Sequence, residues 1–230
     1  MLTIHGVPIS VHTRKVILAA IEKGIPYHNE PVIPFHPPAG WDELSPTGKI
    51  PVVTLSDDVA LRDSSVICAY LEKAHPNPPL YPTEAKAFAD ALWLEEYADG
   101  TLFRDVVHGL FFQKVIRPKI LNQATDEGPI AAILEKALPK TFTYLERNMT
   151  ATFLVDNRFG IADIAIMSNL INFHYLGFAI DGGHWPRLQL YFQRMLQHKS
   201  IRSALANETT VVAKMGLDTE FLKQADLAFA

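Results

Sequence analysis

Three short stretches carry residues whose types and spacing suit the chemistry of a small anionic ligand. The first is Gly6-Val7-Pro8-Ile9-Ser10-Val11-His12-Thr13, which links an apolar strand-like run to a helical one. Backbone N–H groups at a helix start lack intrahelical partners and carry positive partial charge, so a hydroxyl placed among them can help hold a thiolate or a carboxylate. Ser10 and Thr13 stand three residues apart, the spacing of Cys-x-x-Cys with both sulfurs replaced by oxygen, and that replacement removes disulfide exchange. The alternative is that either hydroxyl merely caps the helix, and His12 reads as an exposed first-turn residue. The second stretch is Ser45-Pro46-Thr47-Gly48-Lys49-Ile50-Pro51. Proline cannot donate to a sheet ladder, so Pro51 belongs at a strand's first position or on an edge. A cis Ile50–Pro51 bond would turn the Ile50 backbone outward toward a peptide-like ligand. The third is Asp63-Ser64-Ser65, whose hydroxyl and N–H groups suit a ligand carboxylate while the Asp63 carboxylate suits an ammonium, although Asp and Ser are also the usual helix caps.

The elements that must position these residues alternate over the first third of the chain. Leu2 to Gly6 predicts a strand, Thr13 to Lys23 a helix stopped by Gly24, and Tyr27 to Ile33 a second strand. Ile50 to Leu55 and Val59 to Arg62 flank Ser56-Asp57-Asp58 as a hairpin, and Asp63 to Lys73 returns to a helical period. This is a compact α/β layer. His75 to Pro82 holds four prolines in eight residues, which denies regular structure and marks the boundary between units at 1–76 and 85–230, with 77–84 as linker. Beyond it the apolar spacing is helical throughout. One stripe runs through Leu102, Val106 and Leu110, a second through Ile130, Leu134, Leu138, Leu145 and Met149 with Pro139 expected to interrupt it, a third through Ile164, Met167, Ile171, Tyr175 and Phe178, and a fourth through Leu188, Phe192 and Met195. The second unit is therefore predicted to be an all-α bundle, and the last twenty residues carry no readable signal.

Composition narrows the function. With 230 residues, 48% hydrophobic and 20% charged, the chain is long enough for one large or two modest cores. Lys plus Arg total 21 against 25 Asp plus Glu, a formal charge of −4, and no basic run follows a phosphate backbone or an anionic membrane, so neither nucleic acid nor membrane is an expected partner. Cys68 is the only cysteine. It excludes an internal disulfide and a cysteine zinc cluster, fits a reducing compartment, and falls within a helix's apolar period as a packed residue. The start lacks a secretion signal and no apolar run is long enough to span a membrane, so the expected location is the cytoplasm. The nine histidines show no ligand spacing, so no metal is expected, and no phosphate-binding glycine loop or nucleophile elbow is found. Phe103, Val107, Phe111 and Phe112 lie at helical spacing and suit either an apolar pocket or ordinary core.

Taken together, the three stretches resemble cytosolic glutathione transferases. GVPISVHTRKV is similar to the catalytic-serine loop of the phi class and related bacterial members, SPTGKIP to the family's N-P-x-G-x-V-P segment, and DSSVI to its E/Q-S-x-A-I. The resemblance implies a thioredoxin-like N-terminal domain, an all-α C-terminal domain, a homodimer, and glutathione as a substrate whose thiolate attacks a small electrophile. It places Ser10 at the activating hydroxyl. Pro51 falls on the cis-proline, Ile50 on the residue pairing with the cysteinyl backbone, Lys49 and His36 on glycine-end contacts, and Asp63 and Ser64 against the γ-glutamyl end. Phe103, Val107 and Phe111 would line the co-substrate pocket. The competing expectation is a transferase-like fold used as a non-catalytic binding or regulatory module. Two departures stand out: Asp63 is one methylene shorter than the usual Glu or Gln, and FGIADI matches the family's S/T-x-x-D helix start with Gly160 in place of the hydroxyl residue, leaving Asp163 alone to bond the helix start.

Overall fold

The structure, a computed structural model, describes residues 1–56, 59–149 and 151–225. Its first third builds a four-stranded sheet of order β2-β1-β3-β4 from β1 (Leu2–His5), β2 (Tyr27–Glu30), β3 (Val52–Thr54) and β4 (Ala60–Arg62). β1 runs parallel to β2, with Leu2 opposite Tyr27, and antiparallel to β3, with Ile4 opposite Val53. The parallel pair requires a crossover, which α1 (Val11–Glu22) supplies. Gly24, at φ 62, closes α1 by sending the chain into the left-handed region. Strand alternation sends Val53 to one face, where it joins Ile4, Val16, Ile17 and the α3 (Ser64–Ala74) residues Ile67 and Leu71 in the main core. Val52 points to the other, against Val32 and Trp41 of the short helix α2 (Trp41–Leu44). The expected hairpin is present with Thr54 opposite Ala60, and two of its three expected turn residues, Asp57 and Asp58, lie outside the described residues.

After Arg62 the described residues form no further strand. α4 (Ala85–Tyr97) passes through a π-helical turn, Ala98–Leu102, into a π-helical stretch, Arg104–Ile120. α5 (Glu127–Ala132) leads through a second π turn, Ile133–Ala137, into α6 (Leu138–Asn148). Pro139 lies in the first turn of α6, where its missing N–H costs least, and the interruption expected of it takes the form of the π turn just before. α7 (Ile161–Tyr175) is the central helix, buried at every residue except His174, and α8 (Pro186–Leu196) and α9 (Lys199–Met215) pack around it. The chain is thus a small mixed α/β domain followed by a helical one.

One expectation needs correction. α1 starts at Val11 rather than Thr13, because Ser10 is extended (φ −65, ψ 129) and serves as the residue before the first turn. In the last twenty residues, where the sequence carries no readable signal, α9 continues to Met215, and Phe221 is buried with its ring 5.3 Å from that of His174 and 6.0 Å from that of Phe192. Burial without a partner for its Nε2 depresses the pKa of His174 to about 4.

The start of α7 explains the departure at Gly160. Asp163 Oδ2 accepts from the Gly160 N–H at 3.1 Å, and Oδ1 accepts from the Leu154 N–H at 3.1 Å and the Tyr191 hydroxyl at 2.8 Å. Meanwhile the Leu80 carbonyl approaches so closely that a Cβ on residue 160 would lie 2.8 Å from its oxygen. That same carbonyl accepts from the Ile161 N–H at 3.0 Å. Gly160→Ser, which restores the family's hydroxyl, is therefore expected to destabilise the protein by about 1 to 2 kcal/mol through overpacking. Urea unfolding measures it; a gain in stability would show that the Leu80 strap yields and the cap dominates.

Candidate functional site

The start of α1 is unusual in what its capping position leaves undone. Ser10 precedes the first turn, and its carbonyl accepts from the Arg14 N–H at 2.8 Å, yet its side chain makes no capping hydrogen bond. No acidic residue stands in the first turn to offset the partial positive charge of the free N–H groups. Ser10 instead lines a cleft of about 1080 Å³ between the sheet domain and the helical domain. Thr13, three residues on, does not share that role. It is fully buried, its Oγ1 has no hydrogen-bond partner, and it packs so tightly on Gly6 that any Cβ there would collide with it.

The same cleft is lined by Lys49, Ile50, Phe103, Val107 and Phe111, so five of the sequence-expected residues gather with Ser10. The Ile50–Pro51 bond is cis, and Ile50 lies outside the ladder, which begins at Val52. Pro51 is buried beneath the cleft rather than lining it. His36 sits exposed on the loop after β2, beyond the lining residues Ile33, Pro34 and Phe35. Asp63 is also outside the lining: its Oδ1 accepts from the Ser65 N–H at 2.9 Å and the Val66 N–H at 3.3 Å, capping its own helix. Ser64 is buried, with Oγ 3.4 Å from His12 Nδ1. His12 is not the exposed residue its position suggested. Its ring packs 4.5 Å from that of Phe103, and its Nδ1 lies 3.5 Å from Asp99 Oδ1.

Beneath the site lie two buried cations within α1. The Lys15 ammonium donates to Glu95 at 3.0 Å, to the Ser65 hydroxyl at 2.9 Å and to Asp99. Burial acts to raise the pKa of Asp99, but the His12 hydrogen bond and the Lys15 charge outweigh it and hold that carboxyl at about 2. Asp99 is therefore an anion tied to both α1 and the start of α3. The Arg14 guanidinium, fully buried, pairs with Glu208 of α9 at 2.5 and 2.7 Å and donates to the Ser168 carbonyl and Asn172 Oδ1 of α7. Asn172 Nδ2 in turn donates to the Ile9 carbonyl at 3.1 Å, one residue before Ser10. A signal existed in the sequence: Arg14 and Lys15 stand four residues before Leu18 and Ala19, on apolar faces where a charge needs a partner.

Cys68 is fully buried, and burial pushes its thiol pKa well up, so it is a packed residue. Among the described residues no three His, Cys, Asp or Glu side chains gather as a metal-binding group, and no helix is long and apolar enough to cross a membrane.

Known proteins resemble the chain over both domains. The family described as glutathione S-transferase, N-terminal domain, matches residues 4–79, and that described as glutathione S-transferase, C-terminal domain, matches residues 111–208. FtsZ-localized protein A of Caulobacter vibrioides is 25% identical over 181 residues, covering 76% of this chain and 78% of that one. A crystal structure of a glutathione S-transferase from Rhodospirillum rubrum superposes with a TM-score of 0.88 over 97% of this chain and 99% of its own, at 21% identity, a likeness of fold. A glutathione S-transferase of Methylobacillus flagellatus, solved with glutathione bound, matches at 25% identity and a TM-score of 0.74 over 89% of this chain and 98% of its own. Between them the two family matches span most of the sequence, including the Ser10 loop, the Pro51 and Ser64 segments and the central helix: the chain belongs to the glutathione S-transferase family.

Proposed function

We propose that this protein is a glutathione transferase that ionises the glutathione thiol at Ser10 and delivers the thiolate to an apolar electrophile in the cleft beside Phe103, Val107 and Phe111. The observation that carries the reading is the Ser10 hydroxyl, placed at an uncapped helix start and facing a cleft. In this reading the Ile50 backbone pairs with the cysteinyl residue across the cis Pro51, Lys49 and His36 serve the glycine end, and Ser64 with Asp63 meets the γ-glutamyl end. We place the linker between domains at 77–84 and the enzyme in the cytoplasm, where glutathione and a free Cys68 are both kept reduced. Glutathione at millimolar concentration is expected to raise the melting temperature, and Ser64→Ala to remove most of that rise, since a charged hydrogen bond to a carboxylate is worth about 1.5 to 3 kcal/mol. An undiminished rise in the variant would put the ligand carboxylate elsewhere.

We also propose a homodimer. Val66 and Tyr70 lie one turn apart on α3 and are exposed, as are Phe88 and Trp93 on α4, the latter at 55%. Large exposed apolar groups on two consecutive helices favour a protein contact over solvent. Sedimentation should return twice the 25.7 kDa chain mass, and a monomer at micromolar concentration would remove the proposal.

One observation favours a second reading, that of a binding module. Asp63 Oδ1 accepts from its own helix start, which leaves Oδ2 alone for the ammonium of glutathione, and the name of the Caulobacter relative describes localisation with FtsZ rather than a reaction. No glutathione-dependent change in melting temperature would decide for it.

A further inference from the structure

The cleft is large, and its fixed charge is of one sign. Small-molecule sites typically enclose about 300 to 1,000 Å³, and this one reaches about 1080 Å³. One wall follows the stretch Arg104–Ile120 from Val107 and Phe111 to Ile116 and Ile120, several helical turns further from Ser10. Phe103, against His12, marks the end near Ser10. At the far end the wall meets the C-terminal turns of α9, where Lys119 donates to the Met215 carbonyl and where Val211, Lys214 and Met215 line the cleft. No Asp or Glu lines any part of it, whereas Lys49 and Lys214 both do, in a chain whose formal charge is −4. Among the described residues neither ammonium has an ion-pair or hydrogen-bond partner. Lys49 stands beside Ile50, where the glutathione reading already employs it. Lys214 has no assigned task.

We infer that the cleft selects elongated apolar molecules ending in a carboxylate, with the Lys214 ammonium as the head-group contact and the chain lying along Ile116 and Phe111 toward Ser10. The inference rests on reading the Phe103 end as the electrophile site. A lysine ammonium is a point charge on a flexible stem, suited to an end-group whose orientation is not fixed by a fork of donors. A neutral end-group gains nothing there, and a cationic one is repelled from both ends of the cleft.

The test is binding by the full chain without glutathione, with dodecanoate and dodecanol as probes displacing an environment-sensitive fluorophore. Dodecanoate is expected to bind about tenfold more tightly than dodecanol, and Lys214→Gln to remove that preference while leaving dodecanol binding within about twofold. Lys214 is exposed, so the substitution does not disturb the core. Equal binding of the two probes by the parent protein would overturn the inference. So would a preference that survives Lys214→Gln, or one that disappears in Lys49→Gln instead. Because no glutathione is present, the result is independent of thiol ionisation: a Lys214-dependent preference together with no glutathione effect on melting would keep this inference and remove the transferase.

Discussion

Replacing Glu208 with Ala is expected to cost about 3 to 5 kcal/mol of folding stability, a large share of the roughly 5 to 15 kcal/mol that holds a typical domain together. The carboxylate lies 1% exposed on α9 and receives both forks of the Arg14 guanidinium, at 2.5 and 2.7 Å, and the Tyr175 hydroxyl at 3.0 Å. Burial works against the charge on Arg14, but the Glu208 carboxylate outweighs it, and the net effect is a guanidinium held firmly protonated. Without Glu208 that cation keeps only neutral partners, the Ser168 carbonyl and Asn172. An arginine cannot escape by losing its proton, so the whole penalty of a buried, uncompensated charge falls on the folded state. Arg14→Met combined with Glu208→Leu removes both charges, and should recover most of the loss, since well-packed apolar pairs commonly equal or exceed buried ion pairs. Urea unfolding of the two variants measures the difference; a Glu208→Ala cost below about 1 kcal/mol would mean that water reaches the guanidinium. The pair also bears on the site, because Arg14 and Asn172 hold the Ile9 carbonyl from below, at 3.5 and 3.1 Å, and so fix the loop that carries Ser10.

What the sequence made legible were features determined locally. The strands β1 and β3, the proline-rich break after His75, and the helices beyond it each follow from residues near one another in the chain and are present, although Phe178 of the third stripe lies past the end of α7, a helix buried on every side rather than along one stripe. Leu102, Val106 and Leu110 are fully buried while Phe103 and Val107, a step around the same helix, face the cleft, so the aromatic run is core on one side and lining on the other. Features that depend on contact between distant segments stayed hidden. Arg14 meets Glu208 across 194 positions of sequence, and Lys15 meets Asp99 across 84; nothing near either cation announces its partner. His12 was misjudged for the same reason, since its neighbour Phe103 comes from the other domain. Asp63 is a local case. Its sequence neighbours Ser65 and Val66 supply the N–H groups it accepts from, so the local capping role is the one the structure displays.

Ser10→Ala is expected to lower kcat/KM for a generic aromatic electrophile by roughly ten- to thirtyfold at pH 7. An ordinary thiol ionises near pH 8.5, so only a few per cent is thiolate at neutral pH; lowering that pKa by about two units requires about 2.7 kcal/mol of preferential stabilisation of the anion. Two features of the site can supply it. The Ser10 hydroxyl is not used as a cap and lines the cleft, free to donate to a sulfur anion, and the first turn of α1 presents N–H groups with no acidic side chain to offset them. The variant keeps the helix start and loses only the hydroxyl, which is why the expected loss is part of the 2.7 kcal/mol and not the whole. The sign with pH follows directly: as pH rises toward 9 bound glutathione ionises without help, so the deficit should shrink, and the more basic thiolate of the variant, being the better nucleophile, could close it. Ser10→Cys is the companion, since a sulfur at this position opens mixed-disulfide exchange with glutathione that the serine forbids. A pH–rate profile of both variants reads these effects separately. A loss that stays constant from pH 6 to 9 would make Ser10 a residue that positions glutathione rather than one that ionises it, and no loss at any pH would return the cleft to the binding-module reading, with the helix start alone left to attract the anion.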